Sequence, residues 1–158
     1  MGQANFNSPV GPIAIYSEDG CITKIEFNKH LEAEATDSVI EDCQTELTEY
    51  FDGKRQTFGV KIKPVGTEFQ LRVWNMLKKI PFGKTISYSD LAIRLGDLKV
   101  IRAAGTANGK NKIPIIIPCH RVIGKDGSLV GFAGGLHIKE KLLRHEGVIS
   151  GEQIKIFG

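Results

Sequence analysis

The chain has 158 residues, a net charge of +3, 41% hydrophobic and 25% charged residues. This is ordinary globular composition, long enough for a sizeable core in one domain or two small ones. It contains no apolar run of 18 residues, which excludes a spanning helix, and Met1–Phe6 has neither the basic start nor the apolar segment of a signal peptide. The charge is divided unevenly. Residues 1–64 hold eleven acidic and six basic side chains, a balance of −5, and residues 65–158 hold seven and fifteen, a balance of +8. The second half is therefore the expected face for a polyanion. Three cysteines, Cys21, Cys43 and Cys119, suit a reducing cytoplasm better than a disulfide framework. Cys21, His30 and Cys43 match no standard zinc spacing, so no metal is expected.

Taken in order, Ile13–Tyr16 and Ile22–Phe27 read as strands, with a turn at Glu18-Asp19-Gly20. Residues 37–51 have helical spacing, with Val39, Ile40, Cys43, Leu47, Tyr50 and Phe51 on one side and Gly53 at the end. Cys43 lies on that stripe and reads as core. Phe58–Ile62 alternates like a further strand. This makes a small α+β unit over residues 1–64, with Lys63–Gly66 as linker, and no catalytic constellation is visible in it.

The second unit, residues 65–158, opens with capping-box spacing at Thr67–Gln70 and a stripe of Phe69, Val73, Met76, Leu77 and Ile80. Pro81-Phe82-Gly83 breaks that helix. Ser87 caps a second one, with Leu91, Ala92 and Leu95 inward and Gly96 at its end. A third runs from about Leu98 to Ala107 and stops at Asn108-Gly109. The last pair, joined by a brief glycine-containing turn, reads as a helix-turn-helix. Its third helix is thin: Ala103, Ala104, Gly105 and Ala107 are small, with Arg102 the long exception. Small side chains allow close approach in a narrow groove.

Ile115, Ile116 and Ile117 are β-branched and read as a short buried strand, ended by Pro118, which has no N–H to donate. Cys119 follows, with His120 and Arg121 beside it. A base and a cation next to a thiol can favour the reactive thiolate. Leu136–His145 is the last helix, with Ile138 and Leu142 inward, His137 and His145 on the surface, and Glu146 at the next i+4 position. A carboxylate on an apolar stripe must find a partner, and His120 is the candidate. A tail strand is expected at Gln153–Phe157.

The segment Ile113–Val122, Ile-Pro-Ile-Ile-Ile-Pro-Cys-His-Arg-Val, resembles the active-site segment of the O6-alkylguanine-DNA alkyltransferases. Gly66-Thr67-Glu68-Phe69-Gln70, Gly83–Tyr88, Arg102-Ala103-Ala104-Gly105, Asn108–Asn111 and Gly134-Gly135-Leu136 through His145-Glu146-Gly147 resemble further motifs of that family, in its order. The resemblance implies a ribonuclease-H-like α/β domain followed by a winged helix-turn-helix-like catalytic domain, an α+β protein in all. It implies irreversible transfer of an alkyl group from O6-alkylguanine, and O4-alkylthymine as a further substrate, in double-stranded DNA to Cys119. No cofactor is implied, because the damaged base is the alkyl donor, and the protein is expected to be a monomer with no membrane partner.

Residue roles follow from the same resemblance. Glu146 orients His120, which activates Cys119 through a water. Asn111 braces the turn at the cysteine. Tyr88 supports base rotation and protonates the departing purine. Arg102, Ala103, Ala104, Thr106 and Tyr88 meet DNA in the minor groove, with Arg102 entering the stack in place of the extruded nucleotide. Asn108, Val122, Phe132 and Ala133 line the substrate pocket. Phe132 and Ala133 depart from members with Tyr and Ser there, which removes two hydroxyls near the base. Two other classes are weighed. A lesion-binding alkyltransferase-like protein that performs no transfer would have another residue, typically Trp, at position 119. A cysteine hydrolase would draw its Cys and His from distant segments rather than adjacent ones.

Overall fold

The structure, a computed structural model, describes all residues except 131, 133, 150–155 and 158, and only the backbone of 156 and 157. The chain divides into two compact units, Met1–Val65 with Lys112–Ile116, and Gly66–Asn111 with Ile117–Gly158.

In the first unit, β1 (Gly2–Ser8), β2 (Gly11–Glu18) and β3 (Cys21–Phe27) form an antiparallel sheet in that order. Ile13, Ala14 and Ile15 of the central strand are wholly buried, the pattern of a strand covered on both faces. The β2–β3 turn places Asp19 and Gly20 both at positive φ, as a tight hairpin requires. Helix α1 (Ser38–Phe51) starts at Asp37, whose carboxylate accepts from the Ile40 N–H at 2.9 Å and from the Ser17 hydroxyl. It buries Val39, Ile40, Cys43, Leu47 and Tyr50. Burial pushes the Cys43 thiol up to about 12, so this cysteine is inert core.

Two expectations fail here. Phe58–Ile62 is no strand: only Ile62 bridges, to Ile22. The Glu46 carboxylate takes the amides of Gly59 and Val60 at 2.8 and 3.3 Å, so those N–H groups are lost to a ladder. Ile115–Ile117 is likewise a turn, although Ile115 and Ile117 are each only 1% exposed. Pro114 and Pro118 bracket it without donors, and the Ile117 carbonyl is taken by Asn111 and by the Cys119 N–H. Ile115 sits at φ 73, a strained place for a β-branched residue that costs about 1–3 kcal/mol. Lys112–Ile116 packs within the first unit, where the Lys112 carbonyl accepts from the Ile25 N–H at 2.9 Å.

The second unit opens with α2 (Glu68–Leu77), capped by the reciprocal Thr67–Gln70 box. Trp74 reaches from α2 to donate its indole N–H to the Ala107 carbonyl at 2.8 Å. Strand β4 (Ile86–Ser87) leads into α3 (Tyr88–Arg94), where Ser87 and Asp90 form a second capping box. A short 3₁₀ turn, Leu98–Val100, then gives α4 (Ile101–Gly109), completing the helix-turn-helix. A single 3₁₀ turn, Cys119–Arg121, feeds β5 (Val122–Ile123), which pairs in parallel with β4. A turn closed by Gly124 and Ser128 leads to β6 (Leu129–Val130), which pairs in parallel with β7 (Ile156–Phe157). Of the expected tail strand, residues 153–155 lie outside the described residues. Helix α5 (Leu136–His145) buries Ile138, Lys139, Leu142 and Leu143. His137 is exposed as expected, but His145 is half-buried, edge-on to Phe82 at 6.2 Å. No helix among the described residues is long and apolar enough to cross a membrane.

Candidate active site

The turn that follows Pro118 carries three buried functional side chains in a row, Cys119, His120 and Arg121. Two asparagines hold its backbone. Asn111 donates to the Ile117 carbonyl at 2.8 Å, and Asn108, itself 1% exposed, donates to the Cys119 carbonyl at 3.3 Å. The Cys119 N–H turns back to Ile117 at 2.8 Å. These bonds fix where the thiol stands before any substrate arrives.

Glu146 is the hub behind the turn. Its carboxylate meets His120 Nε2 at 2.7 Å, Arg121 Nε at 2.8 Å and Arg121 Nη2 at 3.0 Å. It also accepts from the Gly83 N–H at 3.2 Å, and Arg121 Nη1 donates to the Ile80 carbonyl at 2.7 Å. The expected His120–Glu146 pair is thus present. Arg121, which sequence reasoning treated only as a neighbour of the thiol, instead supplies the countercharge that lets Glu146 be buried.

This arrangement sets the protonation of His120. Burial holds its imidazole below the ordinary value of 6.5; Glu146 opposes that shift, while Arg121 and Lys139 add to it. A neutral ring facing a carboxylate must place its proton on Nε2. Nδ1 is then a free lone pair, and it has no hydrogen-bond partner among the described residues. A stability consequence follows. Below pH 6.5 the unfolded chain takes up a proton that buried His120 resists, so stability should fall as pH drops from about 7 toward 5. Asp37 and Asp90 are shifted below their usual value of 3.8, so their contribution is lost only in more acid solution. Melting temperature against pH, in wild type and in His120→Phe, should show this limb in the first and a flatter one in the second.

The thiol corrects a sequence expectation. Burial pushes Cys119 up, not down; the Asn111 side chain and the charge of Lys139 offset only part of the shift. The adjacent cation, Arg121, is bound to Glu146, so adjacency in sequence does not become a field at the sulfur. Lys139 of α5 was missed. Its position was legible, because 139, 142, 143 and 146 are spaced i, i+3, i+4, i+7 and belong to one helix face.

Tyr88, at the start of α3, donates its hydroxyl to the Val130 carbonyl at 2.8 Å. Burial, and secondarily Cys119, raise it to about 12, so it remains a proton donor at neutral pH. On α4, Arg102, Ala103 and Thr106 are exposed along one side, with Lys110 exposed at its C-cap. Ala104, expected on that side, is fully buried, because it packs the interior of the unit. Val122 is also fully buried, and its carbonyl is occupied by Lys139. Phe132 is half-buried, and Ala133 lies outside the described residues. No group of three or more His, Cys, Asp or Glu among the described residues is placed to hold a metal, Cys21, His30 and Cys43 included.

A buried thiol, a carboxylate-paired histidine in the same turn and an exposed helix side with Arg102 can now be set against known proteins. Residues 68–148 match the model of the 6-O-methylguanine DNA methyltransferase DNA binding domain, and residues 3–64 that of the same family's ribonuclease-like domain. A methylated-DNA–protein-cysteine methyltransferase of Methanosarcina acetivorans is 45% identical over 154 residues, covering 93% of this chain and 99% of its own length. The constitutive protein of that name from Bacillus subtilis is 40% identical over 151 residues, covering 88% and 91%. Among solved structures, Mycobacterium tuberculosis OGT in complex with DNA superposes with a TM-score of 0.83 at 37% identity, covering 91% of each chain.

Proposed function

We propose, for a chain that belongs to the 6-O-methylguanine DNA methyltransferase family, a single-use DNA-repair reaction carried by Cys119. The observation that carries this reading is the neutral, Glu146-oriented His120 in the same turn as a buried thiol. The His120 Nδ1 lone pair takes the Cys119 proton through a bridging water. The thiolate then attacks the alkyl carbon on guanine O6. One S–C bond forms, the O6–C bond breaks, and the electron pair enters the purine, which takes a proton and leaves as guanine. Tyr88 supplies that proton after releasing the Val130 carbonyl, and the proton held by His120 then returns through water to the phenolate, so that one proton in all passes from the thiol to the guanine. The thioether offers no hydrolytic return to the thiol, so each molecule acts once. The protein acts as a monomer in the cytoplasm, where its three free cysteines stay reduced.

The exposed side of α4 is the DNA-binding face. O6 points into the major groove, so a thin helix seated in the minor groove reaches it only by extruding the nucleotide. Arg102 fills the gap and offsets part of an unstacking cost of a few kcal/mol. Arg102→Ala should therefore slow transfer from a methylated duplex by about thirtyfold, the equivalent of about 2 kcal/mol. The loss should shrink when the base lies opposite an abasic site, and vanish for the free methylated base. Equal losses on all three make Arg102 a pocket or folding residue. A loss that disappears at low salt makes it a phosphate contact.

A further inference from the structure

Two buried side-chain polar atoms have no hydrogen-bond partner among the described residues, His120 Nδ1 and Asn108 Oδ1. The reaction above uses the first and not the second. Asn108 lies on the inner side of α4 with Ala104 and Ala107 and is 1% exposed. Its Nδ2 donates to the Cys119 carbonyl at 3.3 Å, which fixes the amide, because a carbonyl can face only its N–H end. Oδ1 is therefore held as an acceptor at the other end of the same group. A buried acceptor left unmet is costly to keep and calls for a donor.

The neighbouring acceptors are already occupied. The Ile117 carbonyl takes the Cys119 N–H and the Asn111 side chain. The Cys119 carbonyl takes the Val122 N–H and Asn108. The Val122 carbonyl takes Lys139, and the Val130 carbonyl takes Lys139 and Tyr88. Tyr88 also stands against this stretch of α4: a Cβ at Gly105, one turn before Asn108, would lie 3.6 Å from its ring.

We propose that Asn108 is a specificity-determining residue whose Oδ1 accepts from the exocyclic amino group of the flipped purine. The inference rests on the reading of Cys119 as the alkyl acceptor. The lesions differ in what they offer. O6-alkylguanine has one donor group, the 2-amino group, because alkylation leaves N1 without a proton. O4-alkylthymine has none, and neither does O6-alkylhypoxanthine, the same purine without the amine. Oδ1 is covered in the free protein, and the movement of Tyr88 away from the Val130 carbonyl, which the proton transfer requires, gives the base access to it. O6-alkylguanine then satisfies the acceptor, whereas either of the others leaves it buried and unmet. A site built to meet a donor rejects the analogue that lacks it far better than an apolar pocket rejects a misfit. The contact also gives the base a polar side chain in a sequence whose Phe132 and Ala133 carry no hydroxyl.

Single-turnover transfer should be compared on duplexes that differ only in the lesion: O6-methylguanine, O6-methylhypoxanthine and O4-methylthymine. Wild type should favour the first over the second by about thirtyfold. In Asn108→Leu, which keeps the volume and removes both polar ends, that ratio should fall to within about threefold, and the gap to O4-methylthymine should narrow with it. Differences in the bases' own reactivity are common to both proteins and cancel in the comparison. Loss of the Nδ2 bond slows all three lesions alike, so a ratio that survives in Asn108→Leu makes Asn108 a brace of the turn and overturns the proposal. Equal rates of wild type on the two purines place a water on Oδ1 and overturn it as well. If Asn108→Leu does not fold, the side-chain amide signal of Asn108 in isotope-labelled Cys119→Ser takes its place. It should shift more with the O6-methylguanine duplex than with the O6-methylhypoxanthine duplex, and identical shifts overturn the proposal. If wild type accepts a methyl group from none of the lesions, the reading of Cys119 fails, and the shifts in Cys119→Ser still decide whether Asn108 meets the amine.

Discussion

Cys119→Ser should abolish alkyl transfer, with a loss of at least about 10⁴-fold, while leaving duplex binding within a few-fold of wild type. A serine alcohol is far less acidic than a thiol, and knocking out an enzyme's nucleophile commonly removes this much rate or more. Nothing about the substitution touches the exposed side of α4, where Arg102, Ala103 and Thr106 stand. The turn should survive as well, because the side chains of Asn108 and Asn111 hold it by its backbone carbonyls. Transfer of labelled methyl to protein, beside duplex binding by fluorescence anisotropy, separates the two properties. Residual transfer within tenfold of wild type places the acceptor elsewhere. Loss of both properties, with an unchanged melting curve, ties the cysteine to DNA binding instead.

The largest stability effect should come from Arg121→Ala, at about 3–5 kcal/mol. Glu146 has a fully buried side chain, and Arg121 gives it two hydrogen bonds and a full countercharge, which the neutral His120 does not. Truncation takes the guanidinium from a buried carboxylate whose contacts with the imidazole and the Gly83 N–H carry no full positive charge. It also orphans the Ile80 carbonyl and removes the guanidinium that lies 5.9 Å from the Phe82 ring centre. For a domain protein stable by roughly 5–15 kcal/mol this is a large fraction. The midpoint in urea should fall with little change in slope. Arg121→Met with Glu146→Leu should be less destabilising than Arg121→Ala alone, because the double change removes both charges. A cost under about 1 kcal/mol for Arg121→Ala shows that the carboxylate is not carried by Arg121.

The sequence was most legible where local rules and packing agree. The caps at Thr67 and Ser87, and the bounds of α1 and α5 to within one residue, follow from side chains within one helical turn. Glu146 on an apolar stripe announced a buried partner, and His120 is that partner. Elsewhere tertiary context overruled the local pattern. Strand β1 has no β-branched residue; it is held by β2 and by paired bonds between Gln3 and Ala35 at 2.9 Å. Ile115–Ile117 carries strand composition, but its flanking prolines and the Asn111 bond make it a turn. Composition correctly announced the burial and not the backbone. The thiol was the subtler case. His120 and Arg121 are adjacent to Cys119 in sequence, yet both side chains turn to Glu146, and the cation that acts on the sulfur comes from Lys139, twenty residues on. Ala104 shows the same limit within one helix, where a small residue fits either a groove or a core.

The central claim is that Cys119 accepts one alkyl group and is then consumed. Intact-protein mass spectrometry on wild type, mixed with excess duplex containing O6-methylguanine, tests it directly. The account predicts a gain of one methyl group per molecule, mapped by peptide analysis to Cys119, with repaired guanine formed in equal amount and none thereafter. Repaired guanine in excess over protein, or a protein whose mass does not change while lesions disappear, would contradict it.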